Sequence, residues 1–484
     1  MRIGGVLFIL IFTSCAVGPR FSRPETPSLK NYDRKETKET VSADGHAQTF
    51  DQGASVPANW WRLFNAKKLD PLLTKALENS PSLQAALFTL TQSQYNLQAG
   101  YGAFFPQIDG SIQSTREKFS SASFGATFPS SIFSLFTLSG TLSYTLDIFG
   151  GARRALEGLI AQTEAERNAA RAAYITLTGN LVNTVIAYSA YESEIETTRR
   201  MIQAQKEEAA LTQAQVKANI APYSNLLGIQ SQLFATEASL PPLLQKYAQT
   251  EHLLATLSGI TPAEFNPPDI ALSDLSLPER LPKSLPSMLV RQRPDVLQAE
   301  EELHAASAAI GVATAALFPS ITINAAYGAN SFSGGPGGLQ NFWNLGAGLT
   351  APIFHGGELV ARKKAAVAAF HAADAAYRQT VLSSFSQVAD VLKALEHDAE
   401  QVKAQAQALA SSKEAFTLIR AAYKAGTASY LQVLTADFQY LSAENAWIQA
   451  TAQRLQDTVA LFVALGGDWW NVKTPKSLAS SHRT

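Results

Sequence analysis

Between residues 137 and 148 apolar and polar positions alternate without a break. Leu138, Gly140, Leu142, Tyr144, Leu146 and Ile148 share one face, and Thr137, Ser139, Thr141, Ser143, Thr145 and Asp147 the other. Period two marks a β-strand with one face for lipid or core and one for water. Upstream, Ile108, Gly110 and Ile112 alternate with Gln107, Asp109, Ser111 and Gln113, which predicts a β-hairpin over 104–149. The second half of the chain predicts another over 319–354. There Ile321, Ile323, Ala325 and Tyr327 oppose Thr322, Asn324 and Gly328, and Trp343, Leu345, Ala347, Leu349 and Ile353 oppose Asn344, Gly346, Gly348 and Thr350. Strands of about 10 residues are long enough to cross a bilayer at a tilt. The same pattern also fits a soluble two-hairpin sheet covered by helices. The hairpin tips, 119–134 and 329–341, are rich in Ser, Gly and Phe, as loops facing the outside would be.

Four strands cannot close a barrel. An open edge in hydrocarbon leaves backbone groups unpaired, at several kcal/mol each. If these strands span a membrane, several copies share one barrel, and the smallest barrels of about 8 strands allow a dimer or more.

After each hairpin the period changes from 2 to that of a helix. Residues 152–218 and 357–424 contain no proline, and at about 1.5 Å per residue each would run about 100 Å. Helices of that length do not fold inside one globule. Their apolar stripes step by 3 and 4: Leu177, Leu181, Val185, Tyr188, Tyr191 and Ile195 in the first, and Val381, Phe385, Val388, Leu392 and Leu395 in the second. Farther along, small residues permit close helix approach. Each helix turns at a short break, Asn219-Ile220-Ala221-Pro222 or Ala425-Gly426-Thr427-Ala428-Ser429, and a second helix returns. Ahead of the first hairpin, Trp60-Trp61-Arg62-Leu63-Phe64 opens a helix expected to continue to about Gly100. The tryptophan pairs at 60–61 and 469–470 read as ordinary packing.

The halves match in detail. Pro81 and Pro106 lie 25 residues apart, as do Pro294 and Pro319, with no gap between the copies. Each half closes on small residues, Leu257-Ser258-Gly259 or Leu465-Gly466-Gly467. One structural unit is therefore written twice. The organisation read from the chain is a lipoprotein signal peptide (1–14), an extended tether (15–58), a first repeat (59–260), a Pro-rich linker (261–290), a second repeat (291–467) and a tail (468–484).

Charged residues make up 16% of the chain, below the roughly 25% of a soluble domain. Net charge is −1 with no basic block, which gives nucleic acid nothing to bind. The single cysteine follows Arg2, an apolar run over 6–12, and small Thr13 and Ser14. This reads as a lipoprotein signal with Cys15 as the acylated N-terminus, and Ala16, not an acidic residue, favours the outer membrane. With one Cys, no intrachain disulfide is possible. The 7 histidines show no HExxH-type spacing, and neither GxSxG nor a phosphate-loop motif occurs. Glu300-Glu301-Glu302-Leu303-His304 reads as a solvated helix face and Gly334-Gly335-Pro336-Gly337-Gly338 as a loop tip. No enzyme activity, metal or cofactor is expected, and any transport energy must come from a partner.

The chain resembles the outer-membrane efflux factor family, the TolC- and OprM-like channels, on its lipoprotein branch serving RND-type efflux. The resemblance rests on Leu281-Pro282, Leu285-Pro286, Leu289, Arg293-Pro294-Asp295-Val296 and Ala299-Glu300, with support from the segment at Cys15, the WWRLF segment at Trp60, the FGG and FHGG turns, AAYKAGTASYLQVLTA and LGGDW at Leu465. It implies an internally duplicated α+β membrane protein: a homotrimer with a 12-stranded transmembrane β-barrel continued by a long α-helical coiled-coil tunnel through the periplasm. Its implied partners are outer-membrane lipid, a periplasmic adaptor (membrane fusion) protein and an inner-membrane pump. The implied function is a passive exit duct for small molecules. Polypeptide (type I) secretion and a lipid-anchored periplasmic coiled-coil scaffold are the alternatives. In the family the tunnel narrows at the helix tips, where tyrosine, arginine and aspartate side chains line a ring. The matching positions here are Tyr423, Ala428, Gln432, Thr435 and Asn225, and only the tyrosine is retained. A constriction built from Tyr423, Gln432, Thr435 and Asn225 would be held by neutral hydrogen bonds, weaker than charged ones.

Overall fold

The computed structural model describes residues 16–29, 31–34, 38–43, 45–119, 131–333 and 338–469. Cys15, the signal peptide, residues 120–130 and 334–337 of the hairpin tips and the tail beyond Trp469 lie outside the described residues. In chain order the elements are β1 (Thr49–Gln52), α1 (Leu69–Asn79), α2 (Pro81–Gly100), β2 (Gln107–Phe119), β3 (Ser131–Leu146), α3 (Gly151–Lys217), α4 (Tyr223–Leu257), β4 (Arg280–Lys283), α5 (Pro286–Gln292), α6 (Pro294–Ala315), β5 (Ser320–Ser333), β6 (Gln340–Thr350), α7 (Glu358–Lys424) and α8 (Tyr430–Ala464). The duplication survives in the element lengths. Helices α3 and α7 are 67 residues each, and α4 and α8 are 35 each.

Two expectations are corrected in detail. The helix expected from Trp60 to Gly100 is broken into a 3-10 turn at Trp60–Phe64, then α1, then α2. Ser80 between α1 and α2 is extended (φ −62, ψ 118), because Pro81 disfavours the helical region for the residue before it while itself suiting the first turn of α2. The alternation through Ile148 outlasts the strand, which ends at Leu146. Asp147 instead accepts hydrogen bonds from the Ala152 and Arg153 N–H groups, both at 3.0 Å. Those are orphan donors in the first turn of α3, and a carboxylate there meets the positive end of the helix dipole.

The chain divides into two compact units. The first comprises residues up to Pro24, Leu90–Glu166 and Ala299–Tyr377. It holds an antiparallel four-stranded sheet in the order β2-β3-β5-β6. It also holds residues 16–24, part of the stretch expected to be an extended tether. That stretch has no regular secondary structure, yet it is fastened at several points. Val17 N–H donates to Phe149 O at 3.1 Å, and Arg154 Nε donates to Val17 O at 3.2 Å. Gly18 has φ +98, and a Cβ on it would lie 2.6 Å from Gly311 Cα, so glycine is required there on two counts. The Phe21 ring stacks on His304 with centroids 4.3 Å apart. Arg23 pairs with Glu300 at 2.9 Å.

The second unit comprises Glu25–Thr89, Arg167–Gln298 and the chain from Arg378 onward. Its core gathers Trp60, Phe64, Leu181, Ile186, Leu254, Leu281, Leu395 and Phe462. Trp60 is fully buried and stacks on Phe462 with centroids 5.1 Å apart, so it belongs to this core, as expected. Within the same unit β1 pairs in parallel with β4, in the register Thr49↔Arg280 through Gln52↔Lys283. This ladder joins the stretch read as a tether to the stretch read as a linker, and neither showed strand periodicity. Helix α4 continues through Pro241-Pro242.

Candidate functional site

The sheet of the first unit turns single-strand alternation into rows. Register aligns Ile108, Leu142, Ala325 and Leu345 across all four strands, and Ile323 and Ala347 with Tyr144 in the next row. The opposite face aligns Gln107, Ser143, Asn324 and Gly346, then Asp109, Thr141, Ala326 and Asn344. Ser111 and Ser139 hydroxyls hydrogen-bond at 2.9 Å, and those of Thr145 and Thr322 at 3.3 Å. The apolar face is uncovered: Ile112 and Leu345 are each 71% exposed and Trp343 is 76% exposed. A soluble sheet would bury those side chains under helices, which this one does not. Among the described residues, strands β2 and β6 have each a single partner and so carry an unpaired edge.

At the end of the sheet Asp147 anchors the turn into α3. Burial pushes its carboxyl up, but the Ala152 and Arg153 N–H groups and the Arg153 guanidinium outweigh this and hold it below the usual carboxylate range. The Glu300 to His304 segment, expected to be a solvated face, is not one. Glu300 is buried beneath Arg23. His304 lies between Glu157 (3.1 Å) and Glu301 (3.3 Å). The N-terminal segment covers this part of α6, which the helix's own pattern does not reveal.

The candidate constriction residues lie at two helix turns of the second unit. Tyr423 lies in the last turn of α7, is exposed, and its ring meets that of Tyr430 with centroids 5.4 Å apart. Gln432 and Ser429 form a capping box: Gln432 Oε1 accepts from Ser429 N–H at 2.8 Å, and Gln432 N–H donates to Ser429 Oγ at 3.3 Å. Thr435 Oγ1 donates to Leu431 O at 3.0 Å. These three residues share one turn region. Asn225 belongs to the first-repeat turn, where its N–H donates to Pro222 O at 3.1 Å. Gln432 and Thr435 thus have local bonds that serve the start of α8.

Sequence reasoning missed the charged groups around these turns. Tyr430 Oη donates to Glu207 Oε2 at 2.9 Å, which links α8 to α3. Arg200 pairs with Glu444 at 2.9 Å. Burial raises the Glu208 carboxyl, opposed by the Thr435 hydroxyl. Asp437 is also raised by burial, with Arg200 and Arg420 opposing and Glu207 and Glu444 reinforcing the shift. In a chain with 16% charged residues, charges gathered near both turns were the available signal. Among the described residues no group of three or more His, Cys, Asp or Glu side chains could hold a metal ion.

The profile of the outer membrane efflux protein family matches residues 72–260 and 285–467. The chain is 28% identical over 432 residues to the pyoverdine export outer membrane protein OpmQ of Pseudomonas putida, covering 88% of this chain and 92% of that one. It is 29% identical over 476 residues to the outer membrane protein OprJ of Pseudomonas aeruginosa, covering 96% of each. Among solved structures, the outer-membrane channel OprN superposes with a TM-score of 0.81 at 26% identity, over 94% of this chain and all of that one. The fold is shared with that channel along most of both chains, and the family profile spans both repeats. The chain belongs to the outer membrane efflux protein family.

Proposed function

We propose that three copies of the chain join β6 of one to β2 of the next and close a 12-stranded barrel in the outer membrane. The four long helices of each copy, α3, α4, α7 and α8, then continue it as a 12-helix periplasmic tunnel. The observation that carries this reading is the sheet itself, with apolar rows uncovered on one face and an unpaired edge on each side. Hydrocarbon tolerates such a sheet only when it closes. The result is a passive exit duct, with the polar rows facing the channel water. An inner-membrane pump and a periplasmic adaptor at the helix turns supply energy and selectivity. The cargo is a class of small molecules, a reading supported by the pyoverdine exporter among the relatives. Acylated Cys15 anchors each copy in the membrane, and Tyr423, Gln432, Thr435 and Asn225 line the narrow end of the tunnel.

The test is the mass of protein extracted from outer membranes in mild detergent, run with and without heating. A heat-labile species of three chains supports the shared barrel. A species that stays monomeric, or that leaves the membrane once Cys15 is replaced, overturns it.

A further inference from the structure

One joint in the first unit links the two repeats. Where β3 of the first meets β5 of the second, the ladder runs from Ser134↔Ser333 to Leu146↔Ile321. Three residues beyond that last pair, in the same antiparallel register, the Phe149 and Phe318 rings stack with centroids 4.7 Å apart and planes 20° from parallel. Two aromatic rings thus close the base of the joint. Each has a counterpart at the outer edges of the sheet. Phe105 precedes Pro106 as Phe318 precedes Pro319, and Phe354 follows Ile353 as Phe149 follows Ile148. These counterparts are open: Phe354 is 87% exposed and Phe105 is 66% exposed. They stand at the bases of β6 and β2, the two edge strands of the sheet, so within one chain they do not meet. A repeated unit that joins to its neighbour inside the chain presents the same surfaces for a joint between chains.

We propose that β6 of one copy pairs with β2 of the next in a single register, locked by Phe354 stacking on Phe105 as Phe149 stacks on Phe318. This rests on the shared-barrel reading above and adds which residues meet. Running the ladder back from the rings, as in β3 and β5, places Thr350 opposite Asp109, Leu349 opposite Gly110, Gly348 opposite Ser111 and Ala347 opposite Ile112. The sequence checks this register independently. The second turn carries an extra residue, His355, between its phenylalanine and its glycines. Matching the two turns on their glycines would slip the pairing by one and set Leu349 beside Ser111, and a one-residue slip sends a whole strand to the wrong face. Matching on the phenylalanines keeps Ile108, Gly110, Ile112, Ala347 and Leu349 on one face. It also brings the Thr350 hydroxyl opposite the Asp109 carboxylate, where the joint inside the chain has the Thr145 and Thr322 hydroxyls at 3.3 Å. A carboxylate is the stronger acceptor of the two. Offset aromatic stacking adds direction to the contact, so the rings select one pairing among those that keep the faces.

The experiment introduces cysteine pairs into the full-length protein, oxidises them in outer membranes and runs heated samples on a gel with and without reductant. Directly opposed strand residues have Cα atoms about 4.5–5.5 Å apart and diagonal ones about 7–8 Å, and a disulfide takes about 4.4–6.8 Å. Ala347→Cys with Ile112→Cys should therefore give a covalent oligomer that survives heating and is lost on reduction. Ala347→Cys with Gly110→Cys, or with Ser114→Cys, tests the registers two residues to either side and should give far less. A Cβ on Gly110 meets nothing within 4 Å. Ala347→Cys alone, with Cys15 unchanged, sets the background. Phe105→Ala and Phe354→Ala should each lower the temperature at which the oligomer dissociates, and the double variant no further than the weaker single. Should a phenylalanine variant fail to fold, the cysteine pairs still decide the register. A heat-labile trimer that joins Ala347→Cys to Gly110→Cys or Ser114→Cys at least as well as to Ile112→Cys overturns the register and leaves the shared barrel standing. Additive losses in the phenylalanine variants overturn the ring contact. A protein that stays monomeric on the unheated gel overturns the shared barrel and this register with it.

Discussion

The two repeats solve the same joint with different chemistry. In each, the residue that closes the repeat is a left-handed glycine set against the chain just ahead of a helix-opening proline. A Cβ on Gly259 would meet Asn79 O at 2.3 Å, and one on Gly466 would meet Gln292 O at 3.3 Å. Both contacts fall two residues before the matching prolines, Pro81 and Pro294. The side chains that lock the joint then diverge. In the first repeat Ser80 and Ser82 exchange a single hydroxyl contact at 3.0 Å. At the equivalent positions of the second, buried Arg293 pairs with Asp295 at 2.6 Å and donates to Ala464 O at 2.9 Å and Gln387 Oε1 at 2.8 Å. Backbone geometry was kept between the copies while the strength of the lock changed. Three charge-assisted contacts of Arg293 in one copy stand where the other has one neutral contact.

That contrast can be broken in order of size. The largest effect belongs to the sheet, where the copies should behave alike. Ile112→Arg in the first hairpin and Leu345→Arg in the second each place a charge on the uncovered apolar face, at a cost of about 2–4 kcal/mol near a bilayer midplane. Both should abolish the heat-labile oligomer on an unheated gel, whereas Asn344→Arg on the opposite face should spare it. At the joint the copies should differ. Arg293→Ala leaves a buried carbonyl and a glutamine oxygen without their donor and should lower stability by about 3 kcal/mol, against about 1 kcal/mol for Ser80→Ala. Urea midpoints of the two variants measure the difference, and equal values would mean the repeats are locked alike. A smaller asymmetry lies at the turns: Ser429→Ala removes a side-chain cap and should cost about 1 kcal/mol. Amide exchange in the first turn of α8 would rise, while α4, which Pro222 opens without a side-chain cap, offers no equivalent loss. The smallest is Tyr430→Phe, which removes one exposed hydrogen bond to Glu207 and should cost about 0.5 kcal/mol. Single-channel conductance should increase if that contact narrows the tunnel, and a still larger increase is expected for Tyr423→Ala.

Much of this was legible because it is periodic or repeated. Period two placed all four strands, and the long proline-free runs placed α3 and α7 to within about one residue at each end. The pairing of prolines at fixed spacing gave the duplication. What was not legible depends on partners far away in sequence. Nothing in Thr49-Phe50-Asp51-Gln52 marks it as a strand, because its ladder comes from Arg280-Leu281-Pro282-Lys283 in the other half of the chain. Glu300 looks like a solvated helix residue until Arg23 covers it. At the turns, matching residue types to positions could name Gln432 and Thr435, but not show that local bonds to Ser429 and Leu431 occupy them. The break at Ser80 was readable from Pro81, and the long helical run through Gly100 obscured it.

The fastening of residues 16–24 bears on how the anchor proposed at Cys15 would work as a length of chain. A free tether of 44 residues, from Cys15 to Ala58, could extend about 145 Å at about 3.3 Å per residue. Here Val17 and Gly18 are already held by Phe149, Arg154 and Gly311. The slack between an acyl group on Cys15 and the base of the sheet is therefore a residue or two, or about 4–7 Å. An acyl group at Cys15, as proposed, would act as a rivet and not a leash, and lengthening the chain beyond Pro24 would leave its reach unchanged.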